Sequence, residues 1–285
     1  MLDLSDLATV KRLLSKNDFK FSKSLGQNFL VNPSVCPRMA QAAFESGGGE
    51  GVIEIGAGIG VLSRELAKLF KKVVSFEVDK ALLPVLSETL ADFKNIEIIN
   101  SDVMKADLCS LIAERFEDMD VCVCANLPYY ITSPIIMHLL ESRLPLKSLT
   151  VMVQKEAADR LCAEVGSRSA GAVTVAVNYY ASAKKLFGVS RHSFVPSPKV
   201  DSSVIQLAIR DEPPVFVDDE KKFFRLVRAA FCQRRKTAAN SISAGLSLQK
   251  DKVEEALEKV GFDLNIRAEK FSLDDFSAVY KNLEY

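Results

Sequence analysis

Three glycines at alternate positions, in Glu54-Ile55-Gly56-Ala57-Gly58-Ile59-Gly60, separate a β-branched run that ends on them from an amphipathic segment that begins after them. Glycine adopts backbone angles closed to other residues and lets a neighbouring group approach the main chain, so the stretch reads as a tight strand-to-helix turn. The same alternation recurs downstream. Runs of strand composition lie at 51–55, 72–78, 96–100, 121–125, 149–153, 171–180 and 200–209, and segments of helical spacing such as 61–70 and 81–93 lie between the earlier ones. Strands alternating with helices predict βαβ units around a mostly parallel sheet, an α/β fold.

Asp211-Glu212-Pro213-Pro214 cannot continue a central strand and marks a linker. The chain is therefore expected to divide into a catalytic domain over 1–211 and a small helical C-terminal domain over 212–285. Helical patterns at 219–230, 250–260 and 273–280 carry the second. Ahead of the sheet, Ser5 is expected to cap a helix reaching Lys16, and Pro33 suits the start of another near Ser34.

Composition limits the partners. Thirty-seven Lys and Arg balance 37 Asp and Glu, so no global field attracts a polyanion and any nucleic-acid contact must come from a local patch. The six cysteines contain no C-x-x-C pair, and Cys122 and Cys124 alternate in an apolar run as core residues do. His138 and His192 lack zinc-type spacing, so no metal is expected. Free thiols suit a reducing compartment. Asp3, Asp6 and Lys11 interrupt any signal-peptide core, and no apolar run approaches the ~20 residues of a membrane span. The expectation is a monomer in the cytoplasm, with no membrane partner.

The turn is spaced G-x-G-x-G, whereas a dinucleotide-binding loop would place its third glycine where Val61 stands. A charge from Glu54 near the mouth suits a sulfonium better than a pyrophosphate. Both points favour S-adenosylmethionine over NAD. Gly56 and Gly58 would then line the cofactor, Glu77 at the end of the second strand would accept the ribose hydroxyls, and Asp102 after the third would accept the adenine amine.

Asn126-Leu127-Pro128-Tyr129 follows the fourth strand, at the edge where open α/β sheets bind ligands. Read alone, it is a proline turn at a strand end. Beside a cofactor turn it reads as chemistry. An adenine amino nitrogen is a poor nucleophile because its lone pair is delocalised, and Asn126 Oδ1 with the Leu127 carbonyl would hold both its hydrogens. Pro128 pushes Leu127 towards an extended conformation and so orients that carbonyl. Tyr129 would stack on a base extruded from its strand, of DNA or RNA.

With these residues the sequence resembles the ribosomal RNA adenine N6-dimethyltransferases of the small-subunit, KsgA type. Gly26-Gln27-Asn28-Phe29-Leu30, Gln154-Lys155-Glu156, the stretch from Phe194 to Ser202, and Phe231-Cys232-Gln233-Arg234-Arg235-Lys236 extend the resemblance over most of the chain. It implies a Rossmann-like class I S-adenosylmethionine-dependent methyltransferase sheet. Asn28 and Leu30 would cover the cofactor, Gly56, Glu77, Asp102 and Asn126 would complete its site, and Phe194 would offer a second aromatic surface to the target. The implied substrate is a pair of adjacent adenines near the 3′ end of small-subunit ribosomal RNA, free or in an immature subunit, each methylated twice. Ala57 stands where proline is frequent, and Tyr130 where asparagine is common.

From Lys221 to Lys250 there are eight cations and no Asp or Glu. Arg225, Arg228, Arg234, Arg235 and Lys236 are the candidate RNA contacts, with Phe223, Phe224, Leu226, Val227 and Phe231 as the packing face. Lys11, Arg12, Lys16, Lys20 and Lys23 would extend that surface. Three other readings compete. A macrolide-resistance-type methyltransferase of large-subunit RNA is disfavoured by Leu127 and Arg234-Arg235-Lys236, and a binding factor in ribosome assembly or transcription by the intact Asn126 to Tyr129. An NAD-dependent oxidoreductase is disfavoured by the glycine spacing.

Overall fold

A strand buried on both faces needs apolar side chains on both, and the uninterrupted β-branched runs of this sequence form such strands. The computed structural model describes residues 2–19 and 26–285. Its main sheet consists of β1 (Gly51–Ile55), β2 (Lys72–Phe76), β3 (Ile96–Ile99), β4 (Val121–Asn126), β5 (Leu146–Gln154), β6 (Ala181–Val189) and β7 (Ser202–Ile209), in the order β3-β2-β1-β4-β5-β7-β6. The pairs β3–β2, β2–β1, β1–β4 and β4–β5 are parallel, and β7 returns antiparallel to β5. Chain order reverses direction between β1 and β4, which opens a crevice at their carboxyl ends.

Helices Val35–Gly47 and Val61–Leu69 share one core with the sheet, in which Met39, Ala40 and Leu66 surround Cys122 and Cys124. Both thiols face the helix Val35–Gly47, as alternation in β4 requires. A second core joins Val10, Leu13 and Leu14 of the helix Leu7–Lys16 to Leu82, Val85 and Leu86. Asp6 rather than Ser5 caps the first helix, accepting the Thr9 N–H at 2.8 Å, while the Ser5 hydroxyl donates to Asp3. A carboxylate placed one residue before the first turn satisfies its N–H groups more strongly than a hydroxyl.

The expected strand at 171–180 is a helix, Ala172–Tyr180. Its β-branched residues favour a strand only as a weak prior, which burial overrides. Val175, Ala176, Val177, Tyr179 and Tyr180 are all buried, leaving little periodicity to read. Tyr179 and Tyr180 pack on Phe223 and Phe224 and donate to the two carboxylate oxygens of Glu220 at 3.1 and 3.0 Å.

The chain forms two compact units, Met1–Ala158 with Lys184–Ile209, and Asp159–Ala183 with Arg210–Tyr285. The second crossing falls beside the expected boundary at 211, but 159–183 joins the helical unit because the Ala172–Tyr180 helix packs there. That unit also holds helices Glu220–Phe231, Ala238–Leu246, Lys250–Lys259 and Leu273–Asn282. No helix among the described residues is long and apolar enough to cross a membrane.

Gly245 fixes how closely two of these helices approach: a Cβ there would lie 2.6 Å from the Ala229 Cα. Helix propensity alone would make Gly245→Ala stabilising by ~1 kcal/mol. Contact with backbone reverses the sign, and a net loss of about 1–3 kcal/mol is expected, read as a lower thermal midpoint; a midpoint unchanged or raised would refute this packing.

Candidate active site at the carboxyl ends of the strands

The main chain turns sharply after β1 because Gly56, Gly58 and Gly60 all take left-handed backbone angles, with φ of 82°, 59° and 88°. Two hydrogen bonds from the Gly56 and Ala57 N–H groups to the Phe76 carbonyl, at 2.8 and 3.1 Å, anchor the turn to the end of β2. Glu77 follows at once. Its Oε2 accepts the Gly58 N–H at 2.8 Å and its Oε1 the Asp79 N–H at 2.8 Å. Burial pushes the Glu77 carboxyl above its usual range, and those N–H groups oppose the shift. Asp102 caps the short turn Val103–Lys105 through Oδ1, which accepts the Met104 N–H at 3.0 Å.

The N-terminal segment reaches the same place through a contact distant in sequence. Phe29 and Leu30 pair antiparallel with Val195 and Phe194, forming a two-residue ribbon beside the sheet. Gln27 Nε2 donates to Asp79 Oδ2 at 2.6 Å, and Asn28 Nδ2 to the Gly26 carbonyl at 2.9 Å. The ribbon and the Gln27–Asp79 bond hold this segment at the cavity, which Asn28 and Leu30 line, with the Phe29 ring 3.6 Å from where a Gly58 Cβ would stand.

Asn126 ends β4 opposite Met152 of β5, and the Leu127 N–H continues the ladder to the Met152 carbonyl at 3.2 Å. The Asn126 side-chain amide makes no hydrogen bond among the described residues, and it lines the cavity. Pro128 sits at φ −59° and ψ 129°, and its carbonyl accepts the Ile131 N–H and the Thr132 hydroxyl. The Tyr129 hydroxyl lies 2.6 Å from Ser202 Oγ on β7. Phe194 is 2% exposed and belongs to the core, so only part of its ring faces the cavity rather than the open stacking surface expected.

All eleven sequence-predicted cofactor and catalytic residues, from Asn28 to Phe194, line one cavity of about 300 Å³. The basic candidates belong to the helical unit. Arg225 and Arg228 project from the exposed side of Glu220–Phe231, with the Arg225 guanidinium 4.9 Å from the Tyr285 ring centre. Arg234, Arg235 and Lys236 lie in the turn between two helices, not on a continuous basic helix. Arg234 Nη2 donates to the carbonyls of Arg168 and Ala170 at 3.0 and 3.2 Å, holding 159–183 in its unit, and Arg234, Arg235 and Lys236 are all exposed. Lys16 pairs with Glu88 at 2.8 Å, and Lys20 and Lys23 lie outside the described residues.

Glu54 differs from expectation. Instead of placing a charge at the mouth it is fully buried in β1, accepting the Ser63 hydroxyl at 2.6 Å and the Ser75 hydroxyl, while Oε1 has no partner among the described residues. Burial pushes its carboxyl from 4.5 up to about 7. The native protein therefore holds a proton that the unfolded chain releases, a stabilisation present below pH 4.5 and lost as pH rises through 7. The shift corresponds to a loss on the order of 3 kcal/mol. Thermal melts should show the wild type falling relative to Glu54→Gln between pH 5 and 8; parallel pH profiles would contradict the buried carboxyl.

A family model described as Ribosomal RNA adenine dimethylase matches residues 18–284. A protein of Geobacillus thermodenitrificans (strain NG80-2) named Ribosomal RNA small subunit methyltransferase A is 47% identical over 281 residues, 97% of this chain and 96% of that protein. One of the same name from Anoxybacillus flavithermus is 46% identical, covering 99% of this chain and 96% of its own. A dimethyladenosine transferase from Plasmodium falciparum superposes with a TM-score of 0.71 at 25% identity, over 88% of this chain and 95% of that one. The 23S rRNA methyltransferase ErmE superposes at 0.65 with 26% identity, over 90% and 100%. With this glycine turn, this Asn126 to Tyr129 segment and a match over nearly its whole length, the chain belongs to the ribosomal RNA adenine dimethylase family.

Proposed function

We propose that the protein uses S-adenosylmethionine to dimethylate the N6 amino groups of two adjacent adenines near the 3′ end of small-subunit ribosomal RNA during ribosome biogenesis. The charge balance of the cavity carries the cofactor assignment: the carboxyls of Glu77 and Asp102 line it, with no Lys, Arg or His among its described walls. A pyrophosphate would meet uncompensated repulsion there. The acceptors fit S-adenosylmethionine, which, when bound, supplies an electrophilic methyl on a cationic sulfur.

Glu77, whose oxygens keep lone pairs beyond the two N–H groups they accept, takes the ribose hydroxyls. Asp102 takes the adenine amine. Gly56 and Gly58 give the room, and Asn28 and Leu30 exclude water from above. At the target, Asn126 Oδ1 and the Leu127 carbonyl accept the two amino hydrogens and favour a pyramidal nitrogen with an available lone pair. Tyr129, tethered through Ser202, stacks on the base, and the edge of Phe194 closes the far wall. After each transfer the surplus proton leaves to water. Alignment and fixed dipoles supply the acceleration.

The identity of 46–47% with small-subunit enzymes supports the choice of RNA. Arg225, Arg228, Arg234, Arg235 and Lys236, all exposed, contact phosphates.

S-Adenosylmethionine should raise the melting temperature and NAD should not; a shift with NAD alone would favour an oxidoreductase. Asn126→Ala should lower transfer roughly 10²- to 10³-fold while RNA affinity persists. Equal loss of affinity would remove Asn126 from the chemistry. Replacing Arg235 and Lys236 by Ala should weaken RNA binding and reduce the slope of log affinity against log salt by about 2; an unchanged slope would place the phosphate contacts elsewhere.

A further inference from the structure

Tyr130 is 60% exposed although it lines the same cavity as Asn126. Its neighbour Tyr129 is half-buried, with its hydroxyl fixed to Ser202. The two tyrosines share one 3-10 turn, Tyr129–Ile131. Such a turn has three residues, so consecutive side chains diverge by about 120°. They cannot face the same base.

The Tyr130 ring lies against the N-terminal segment instead. A Cβ built on Gly26 would stand 3.3 Å from Tyr130 Cδ1, tighter than ordinary van der Waals contact, and Gly26 has a left-handed φ of 60°. Glycine at this point leaves room for one edge of the ring, Cδ1 and Cε1, to approach the backbone. That edge lies against the main chain, and most of the side chain stays open to solvent at the rim. An exposed aromatic ring anchored at one edge beside a binding cavity is suited to stack an unpaired base, and such stacking tolerates any base because every base has a π-face.

We propose that Tyr130 is a positioning shelf that stacks the nucleotide flanking the extruded adenine, while Tyr129 takes the adenine itself. This rests on the proposed reaction. A target adenine set between Tyr129 and Asn126 leaves its strand neighbour at the rim, where Tyr130 holds it and steadies the strand while either adenine is in the pocket.

The test uses small ribosomal subunits lacking the modification and labelled S-adenosylmethionine, with wild type, Tyr130→Ala and Tyr130→Phe. Tyr130→Ala should raise KM for the subunit roughly tenfold, with KM for S-adenosylmethionine and the melting temperature unchanged. Tyr130→Phe, which keeps the ring, should restore the wild-type value. An unchanged subunit KM in Tyr130→Ala overturns the shelf, and so does a rise confined to the S-adenosylmethionine KM, which would make the ring part of the cofactor cover. A Tyr130→Phe enzyme as impaired as Tyr130→Ala overturns it too, because the hydroxyl would then carry the effect. Wild-type enzyme that leaves small-subunit RNA unlabelled defeats the proposed reaction itself, and the shelf with it.

Discussion

The Gly58 N–H donates to Glu77 Oε2 at 2.8 Å, and this bond joins the turn after β1 to the end of β2. Glycine at 58 is required because the turn takes a left-handed angle there, and Glu77 is required because the Gly58 N–H needs an acceptor, which the buried Glu77 carboxylate supplies. Neither residue serves the fold alone. The pair sets the floor of the cavity, and Phe29 lies over it, about 3.6 Å from where a Gly58 Cβ would stand. Through Phe29 the ribbon with Val195 and Phe194 is brought to the same floor.

The parallel strands were legible because strands covered on both faces read as unbroken β-branched runs between turn signals. β1, β2, β3 and β4 begin where such runs begin. The helix Ala172–Tyr180 was not legible, since all-round burial removes the periodicity that separates helix from strand. β6 failed for the opposite reason. It lies at the edge of the sheet and carries Lys184 and Lys185, the charge that edge strands use against further pairing, so it does not read as apolar. The helix Ala238–Leu246 was hidden by its Ser and Gly content, which suits loops as well as tightly packed helices.

The site was legible in its parts and not in its assembly. Glycine spacing, the carboxylates after β2 and β3, and Asn126 to Tyr129 all follow from where strands end. Pairings such as Phe29 with Val195, Gln27 with Asp79 and Tyr129 with Ser202 depend on long-range closure, and local sequence carries no signal for them. Glu54 was misplaced because its strand parity turns the side chain into the core beside Ser63 and Ser75. Zero net charge likewise concealed two opposite surfaces: an acceptor-lined cavity in one unit, and in the other a stretch of thirty residues without an acid.

The fold is shared with a 23S rRNA methyltransferase, so the choice between the two ribosomal RNAs rests on sequence identity and on the basic residues of the helical unit. The direct measurement is to incubate the protein with labelled S-adenosylmethionine and ribosomal particles lacking the modification, then separate large- and small-subunit RNA and digest each to nucleosides. The proposed reaction places label in N6,N6-dimethyladenosine from small-subunit RNA. Label confined to large-subunit RNA would contradict it.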